Sequence, residues 1–212
     1  MLTGIDKTHP DLVGKTDGIN FLGAAWPGNQ NYADTSGHGT GIAGIIAAND
    51  NTIGVVGVAP EVTLYSVKVR EKSGTVYPDG YPTHTEYNFT ALCNGMKWCI
   101  MGPDGTPDTG DEPGIQVINF SLGIWTVTSD GQREYPLHDH EFYNLIHEAS
   151  QRGIVIVAAA GNSSRSIGIY NNPDTDQDVV FSDMSYDFPA SYPEVIAVSA
   201  TAMKTTGKPS ER

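Results

Sequence analysis

Short apolar runs closed off by turn residues, and separated by stretches with helical spacing, constrain this chain more than any other feature. Such runs fall at residues 62–69, 115–120, 153–160 and 194–200. Each is short and largely apolar, as suits a buried parallel strand. Between them, residues 38–49 are small and apolar, and residues 87–101 carry an apolar face. Residues 138–151 put Phe142, Leu145, Ile146 and Ala149 on one stripe. Strand alternating with helix predicts right-handed βαβ crossovers. The expected fold is therefore α/β and three-layered, a mostly parallel sheet with helices on both faces.

Neither an internal repeat nor a linker interrupts the pattern, so residues 1–212 read as one domain. Residues 102–114 and 163–187, dense in Gly, Pro, Asp and Ser, read as surface loops. The cysteines Cys93 and Cys99 fall on one predicted helix, too far apart for a disulfide, and are expected to be free buried thiols.

Acidic residues outnumber basic ones 25 to 12, giving a formal charge of −13. That balance opposes binding to nucleic acid or to an anionic membrane. No window approaches the length of apolar sequence that spans a bilayer, and residues 1–6 have neither a basic nor an apolar leader segment, so a soluble chain is expected.

Three segments carry chemistry. Ser36-Gly37-His38-Gly39-Thr40-Gly41 sets a histidine between glycines at the start of a small-residue helix, where backbone and substrate can approach the imidazole. Ile118-Asn119-Phe120-Ser121-Leu122-Gly123 is a strand running into small residues, an edge able to pair with an extended peptide. Val155-Ile156-Val157-Ala158-Ala159-Ala160-Gly161-Asn162 is a strand ending in an Asn amide at the edge where parallel sheets bind ligands. Taken singly, each has an ordinary structural explanation.

Together and in this order they resemble the subtilisin family of serine proteases, the subtilases (peptidase S8). The segment Asn49-Asp50-Asn51-Thr52-Ile53-Gly54-Val55-Val56-Gly57-Val58-Ala59-Pro60 and the strand around Glu194-Val195-Ile196 extend the likeness from residue 2 to about 202. The resemblance implies that His38 is the general base and Asn162 the oxyanion-hole side chain. It implies that Ser121, Leu122 and Gly123 with Ala159, Ala160 and Gly161 form the walls of a cleft for a peptide or protein substrate. It also implies a structural calcium held by the side chains of Asp11 and Asn51 and the carbonyls of Asn49, Ile53 and Val55, hard oxygen donors of the kind that ion takes. A full-length relative is expected to be secreted, with a cytoplasmic location as the alternative.

Two departures from the family pattern bear on activity. Thr3-Gly4-Ile5-Asp6 matches the end of the first family motif, but Leu2 stands where the catalytic Asp belongs. Asp6, displaced along extended chain, is read as a turn or surface residue. The Gly-Thr-Ser-Met-Ala segment that bears the nucleophile is absent, and Ser36 and Ser163 read as capping or turn residues. The sequence is thus expected to be an incomplete subtilisin-like domain, lacking the first strand and the serine helix, inactive by itself and exposing two apolar surfaces. The alternatives are a pseudoprotease that binds peptide without cleaving it, or one part of a split protease.

Overall fold

A computed structural model of the chain describes residues 3–22, 26–70, 89–107, 110, 113–123, 126–127, 133–134, 140–162, 166–167, 184–185 and 188–200. The elements run β1 (Thr16–Asn20), α1 (His38–Ala47), β2 (Leu64–Lys68), α2 (Phe89–Met101), β3 (Val117–Phe120), β4 (Thr126–Val127), β5 (Arg133–Glu134), α3 (His140–Gln151), β6 (Val155–Ala159), β7 (Ser166–Ile167), β8 (Met184–Ser185) and β9 (Val195–Val198). The four strands expected from apolar runs are β2, β3, β6 and β9, each trimmed at its ends. The three expected helices are α1, α2 and α3.

Two parallel sheets carry the fold. One pairs β1 with β2, Thr16 opposite Leu64, and the other runs β3-β6-β9, with Phe120 opposite Ala158 and Ala158 opposite Ala197. Alternation along β2 shows why the architecture has three layers. Leu64 packs with Ile5, Leu12 and Ala43 of α1, whereas Val67, of opposite parity, enters the main core with Ala91, Leu92 and Met96 of α2. Helices therefore lie on opposite faces of β2.

The main core gathers α2 and α3 over one face of β3-β6-β9. Ile118, Phe120, Ile156 and Ala158 point into it, and the Phe120 ring meets Phe142 of α3 edge to face at 6.1 Å between centroids. Full burial of such side chains contributes about 1.5–3 kcal/mol each. The opposite face of the same sheet leaves Val117, Val155, Ile196 and Val198 exposed, one of the apolar surfaces anticipated from the sequence. A second lies between β2 and β3, whose facing edges have no strand partner among the described residues.

Cys93 and Cys99 are free and buried in α2, and burial pushes the Cys99 thiol up to about 12. No helix among the described residues is long and apolar enough to cross a membrane. Two features differ from expectation. Strand β1 follows no apolar run, because its sequence Thr-Asp-Gly-Ile-Asn owes its place to pairing with β2 rather than to its own pattern. The stretch read as a loop over 163–187 contains the short parallel pair β7 and β8, with Ser166 opposite Met184; its other residues lie outside those described.

Candidate active site

Strands β3 and β6 run in register up to Phe120 and Ala158, so residues 121–123 and 159–161 emerge at the same edge of the sheet. His38, the first residue of α1, reaches this edge from the other sheet. Its imidazole Nε2 lies 3.2 Å from the Ser121 carbonyl oxygen. Two of the three motif segments are thereby in direct contact. Residues 159–161 remain tied to β9, where the Ala160 N–H donates to the Val198 carbonyl at 2.9 Å. Gly161 turns the chain with φ +89, a conformation glycine adopts without cost, and Asn162 follows it, exposed beyond the strand end. No described hydrogen bond joins Asn162 to His38. The imidazole is exposed and open to a ligand approaching along the edge.

What holds His38 in place was missed in the sequence. A helix start leaves its first N–H groups without partners inside the helix, and Gly37, at φ 82, supplies no side chain to cap them. Ser36 Oγ accepts the His38 N–H at 3.1 Å, Thr3 Oγ1 accepts the Gly39 N–H at 3.1 Å, and Asp34 Oδ2 accepts the Thr40 N–H at 2.8 Å. Asp34 is the hub of this cluster, accepting also from Thr40 Oγ1 at 2.7 Å, from Ser36 N at 3.0 Å and from Thr3 Oγ1 at 2.8 Å. Partial burial pushes its carboxyl up, but the hydrogen bonds from Ser36, Thr40 and Thr3 together outweigh that and hold it well below the ordinary carboxylate range. The signal available in the sequence was an Asp a few residues ahead of a helix start rich in Ser and Thr.

Close contact between glycines sets the depth of the arrangement. A Cβ on Gly39 would strike the Gly4 carbonyl oxygen, so the segment Thr3-Gly4 lies directly against the first turn of α1. Asp6, by contrast, is exposed and closes a turn by accepting from the Thr8 N–H at 2.9 Å. Ser36 caps the helix, as its position suggested, and Ser163 lies outside the described residues.

The residues expected to hold calcium are also gathered. Asp11 is buried, and its carboxylate accepts from Asn51 Nδ2 and from the Val55 N–H, both at 3.0 Å. The Asn49 N–H donates to the Asp11 carbonyl at 2.8 Å, and the Ile53 N–H to Asn51 Oδ1 at 2.8 Å. Gly54, at φ +59, packs so tightly that a Cβ would meet Asp11 Oδ2. The loop is therefore folded around one carboxylate, with N–H donors facing its oxygens. Among the described residues no group of three or more His, Cys, Asp or Glu side chains assembles. A cation fits this donor set only if the Asn51 amide turns its oxygen inward and the Val55 N–H gives way.

The family model described as the subtilase family matches residues 3–211. Subtilisin DY of Bacillus licheniformis is 35% identical over 199 residues, covering 93% of this chain and 53% of that protein. Subtilisin E of Bacillus subtilis (strain 168) is 34% identical over 199 residues, covering 93% of this chain and 39% of that protein. The chain thus spans about half the length, or less, of these curated relatives. Among solved structures, the nisin leader peptidase of Lactococcus lactis aligns with a TM-score of 0.53 at 25% identity, over 92% of this chain and 53% of that one. The epidermin leader peptide processing serine protease of Staphylococcus aureus aligns with a TM-score of 0.55 at 22% identity, over 92% of this chain and 44% of that one. On the match across nearly its whole length, this chain belongs to the subtilase family.

Proposed function

We propose that this chain is the part of a serine endopeptidase that carries its general base and its oxyanion amide. The observation that supports this most directly is the His38 imidazole held against Ser121 at the edge that β3 and β6 reach in register. In the complete reaction His38 takes the proton of the attacking serine and returns it to the leaving amine. Asn162, with a backbone amide, hydrogen-bonds the oxyanion as the acyl-enzyme forms. Residues Ser121, Leu122 and Gly123 on one side and Ala159, Ala160 and Gly161 on the other flank an extended peptide. The substrate is a peptide or protein.

The 212 residues alone do not perform this reaction, because Leu2 occupies the position of the carboxylate that orients the imidazole and no serine sits in a nucleophile segment. The test is hydrolysis of a chromogenic peptide, with fluorophosphonate labelling, by this chain and by a polypeptide that adds the flanking strand and the serine segment. The short chain is expected to be inert and unlabelled, and the longer one active and silenced by His38→Ala. Undiminished activity of that variant would sink the assignment of the base. We further propose that Asp11 and Asn51, with the carbonyls of Asn49, Ile53 and Val55, hold a structural calcium once the Asn51 amide has turned and the Val55 N–H has moved off Asp11.

A further inference from the structure

Among the described residues one basic side chain is buried, that of Lys68 at the end of β2. An ammonium taken out of water is costly unless hydrogen bonds replace its hydration, so the group it meets shows what it does there. Side chains alternate along a strand, and Lys68 therefore projects from the same face of β2 as Leu64, which packs with Ala43 of α1. Leu64 meets the middle of that helix. Lys68, four residues further along the strand, reaches the chain that leads into it. Its Nζ donates to the Ala33 carbonyl at 2.9 Å, a bond strengthened by the charge on the donor. The base of the side chain is itself fixed, because the Phe21 N–H donates to the Lys68 carbonyl at 3.0 Å and β1 pairs alongside.

Ala33 immediately precedes Asp34, the hub of the helix start. The Ala33 carbonyl and the Asp34 N–H belong to one planar peptide unit, so holding that oxygen fixes the plane from which Asp34 projects its carboxylate. The same segment is also held by Gly4, where a Cβ would strike the carbonyl oxygens of Tyr32 and Ala33, and by the Ile5 N–H, which donates to the Tyr32 carbonyl at 3.1 Å. With residues 32–34 gripped by β2 and by the Gly4-Ile5 segment, the Asp34 carboxylate meets Thr3 Oγ1, the Ser36 N–H and the Thr40 N–H at 2.8, 3.0 and 2.8 Å. We propose that Lys68 is a positioning residue for His38: through the Ala33 carbonyl it sets Asp34, which sets the first turn of α1 and hence the imidazole. Its bearing on catalysis rests on the reading of His38 as the base, whereas the placement of the ring is measured without turnover.

The test compares the His38 ring signals in NMR spectra of the 212-residue protein and its variants. Lys68→Met keeps the length of the side chain and removes the donor. It is expected to displace the His38 signals in the same direction as Asp34→Asn, and the double variant to move them no further than the larger of the two single changes. Val67→Ala, which trims the main core from the opposite face of β2, is the control. It is expected to lower the unfolding midpoint and leave the His38 signals in place. Unmoved signals in a folded Lys68→Met protein, or displacements that simply add in the double variant, overturn the proposal. So does an equal displacement in Val67→Ala, which would make the effect one of general loosening. Should Lys68→Met not fold, the unaltered protein decides. A slowly exchanging Lys68 ammonium signal, coupled across the hydrogen bond to the Ala33 carbonyl carbon, is expected there, and its absence overturns the proposal. Hydrolysis that survives His38→Ala in the longer polypeptide would instead overturn the reading of the base and leave the placement of the ring by Lys68 standing.

Discussion

His38 Nε2 lies 3.2 Å from the carbonyl oxygen of Ser121, a residue 83 positions later in the chain. Neither residue is placed by its own sheet alone. The imidazole is delivered by the start of α1 and the carbonyl by the end of β3, so the contact reports how accurately the helix start is fixed. Asp34, Thr3 and Ser36 do that fixing, and perturbing them is expected to move His38 without touching it.

Replacing Asp34 by Ala removes the acceptor shared by Thr40, Ser36 and Thr3. A loss of about 1–2 kcal/mol in urea unfolding is expected, the scale of a helix cap with its neighbouring hydrogen bonds. The dependence on pH follows from the direction of its shift. Asp34 has a folded value below the ordinary 3.8, so its contribution is complete above that pH and fades as pH falls through the folded value. Between about pH 4 and the acid limit, stability of the parent is expected to fall more steeply than that of Asp34→Asn, measured by urea titration at successive pH values.

Gly39→Ala introduces a methyl group where the Gly4 carbonyl already sits. The Gly4 oxygen is backbone and the new methyl is fixed to the helix backbone, so relief requires α1 to move away from the Thr3-Gly4 segment. The expected cost is about 1–3 kcal/mol, together with a changed His38 ring signal in NMR spectra as its contact with Ser121 lengthens. Gly41→Ala, on the same helix with open space around it, is the matched control.

Calcium, if held at Asp11, stabilises the folded state by mass action. The unfolding temperature of the parent is expected to rise with added calcium and to fall with chelator, and Asp11→Asn to abolish the difference. Gly54→Ala, which crowds Asp11 Oδ2, is expected to weaken the response in the same direction. An unchanged midpoint for the parent across calcium concentrations would count against the site.

The Cys99 thiol, pushed up to about 12 by burial, carries almost no thiolate near neutral pH. Alkylation at pH about 8 is expected to be negligible in the native protein and complete once urea unfolds it, read by mass spectrometry. Cys93, buried on the same helix, is expected to follow.

Strands β2, β3, β6 and β9 were legible because each leaves a short apolar run closed off by turn residues, even though one face of β3-β6-β9 is exposed. Helix α3 was legible because one face must be apolar. Strand β1 was not, since Thr16-Asp17-Gly18 is ordered by its neighbour rather than by composition. At the site, His38 and Ser121 could be paired in advance only through the family resemblance. Asp34 went unread because its importance lies in three partners, Thr3, Ser36 and Thr40, that converge only when the chain folds. The Asp11 loop shows the same limit in another form. Its residues were expected together and are together, but which atoms face inward depends on the rotation of the Asn51 amide and on the backbone at Val55, neither of which the sequence states.

Helix α2 carries a further consequence. Its buried residues share a single core with Ile19 and Val67 from one sheet, Ile118 and Phe120 from the other, and Phe142 of α3. A molecule whose sheet is interrupted in the middle has an obvious line along which to come apart, yet the side chains of α2 are shared across that line. Melting either half strips α2 of half its packing, so the two halves are bound to unfold in one cooperative transition rather than in sequence.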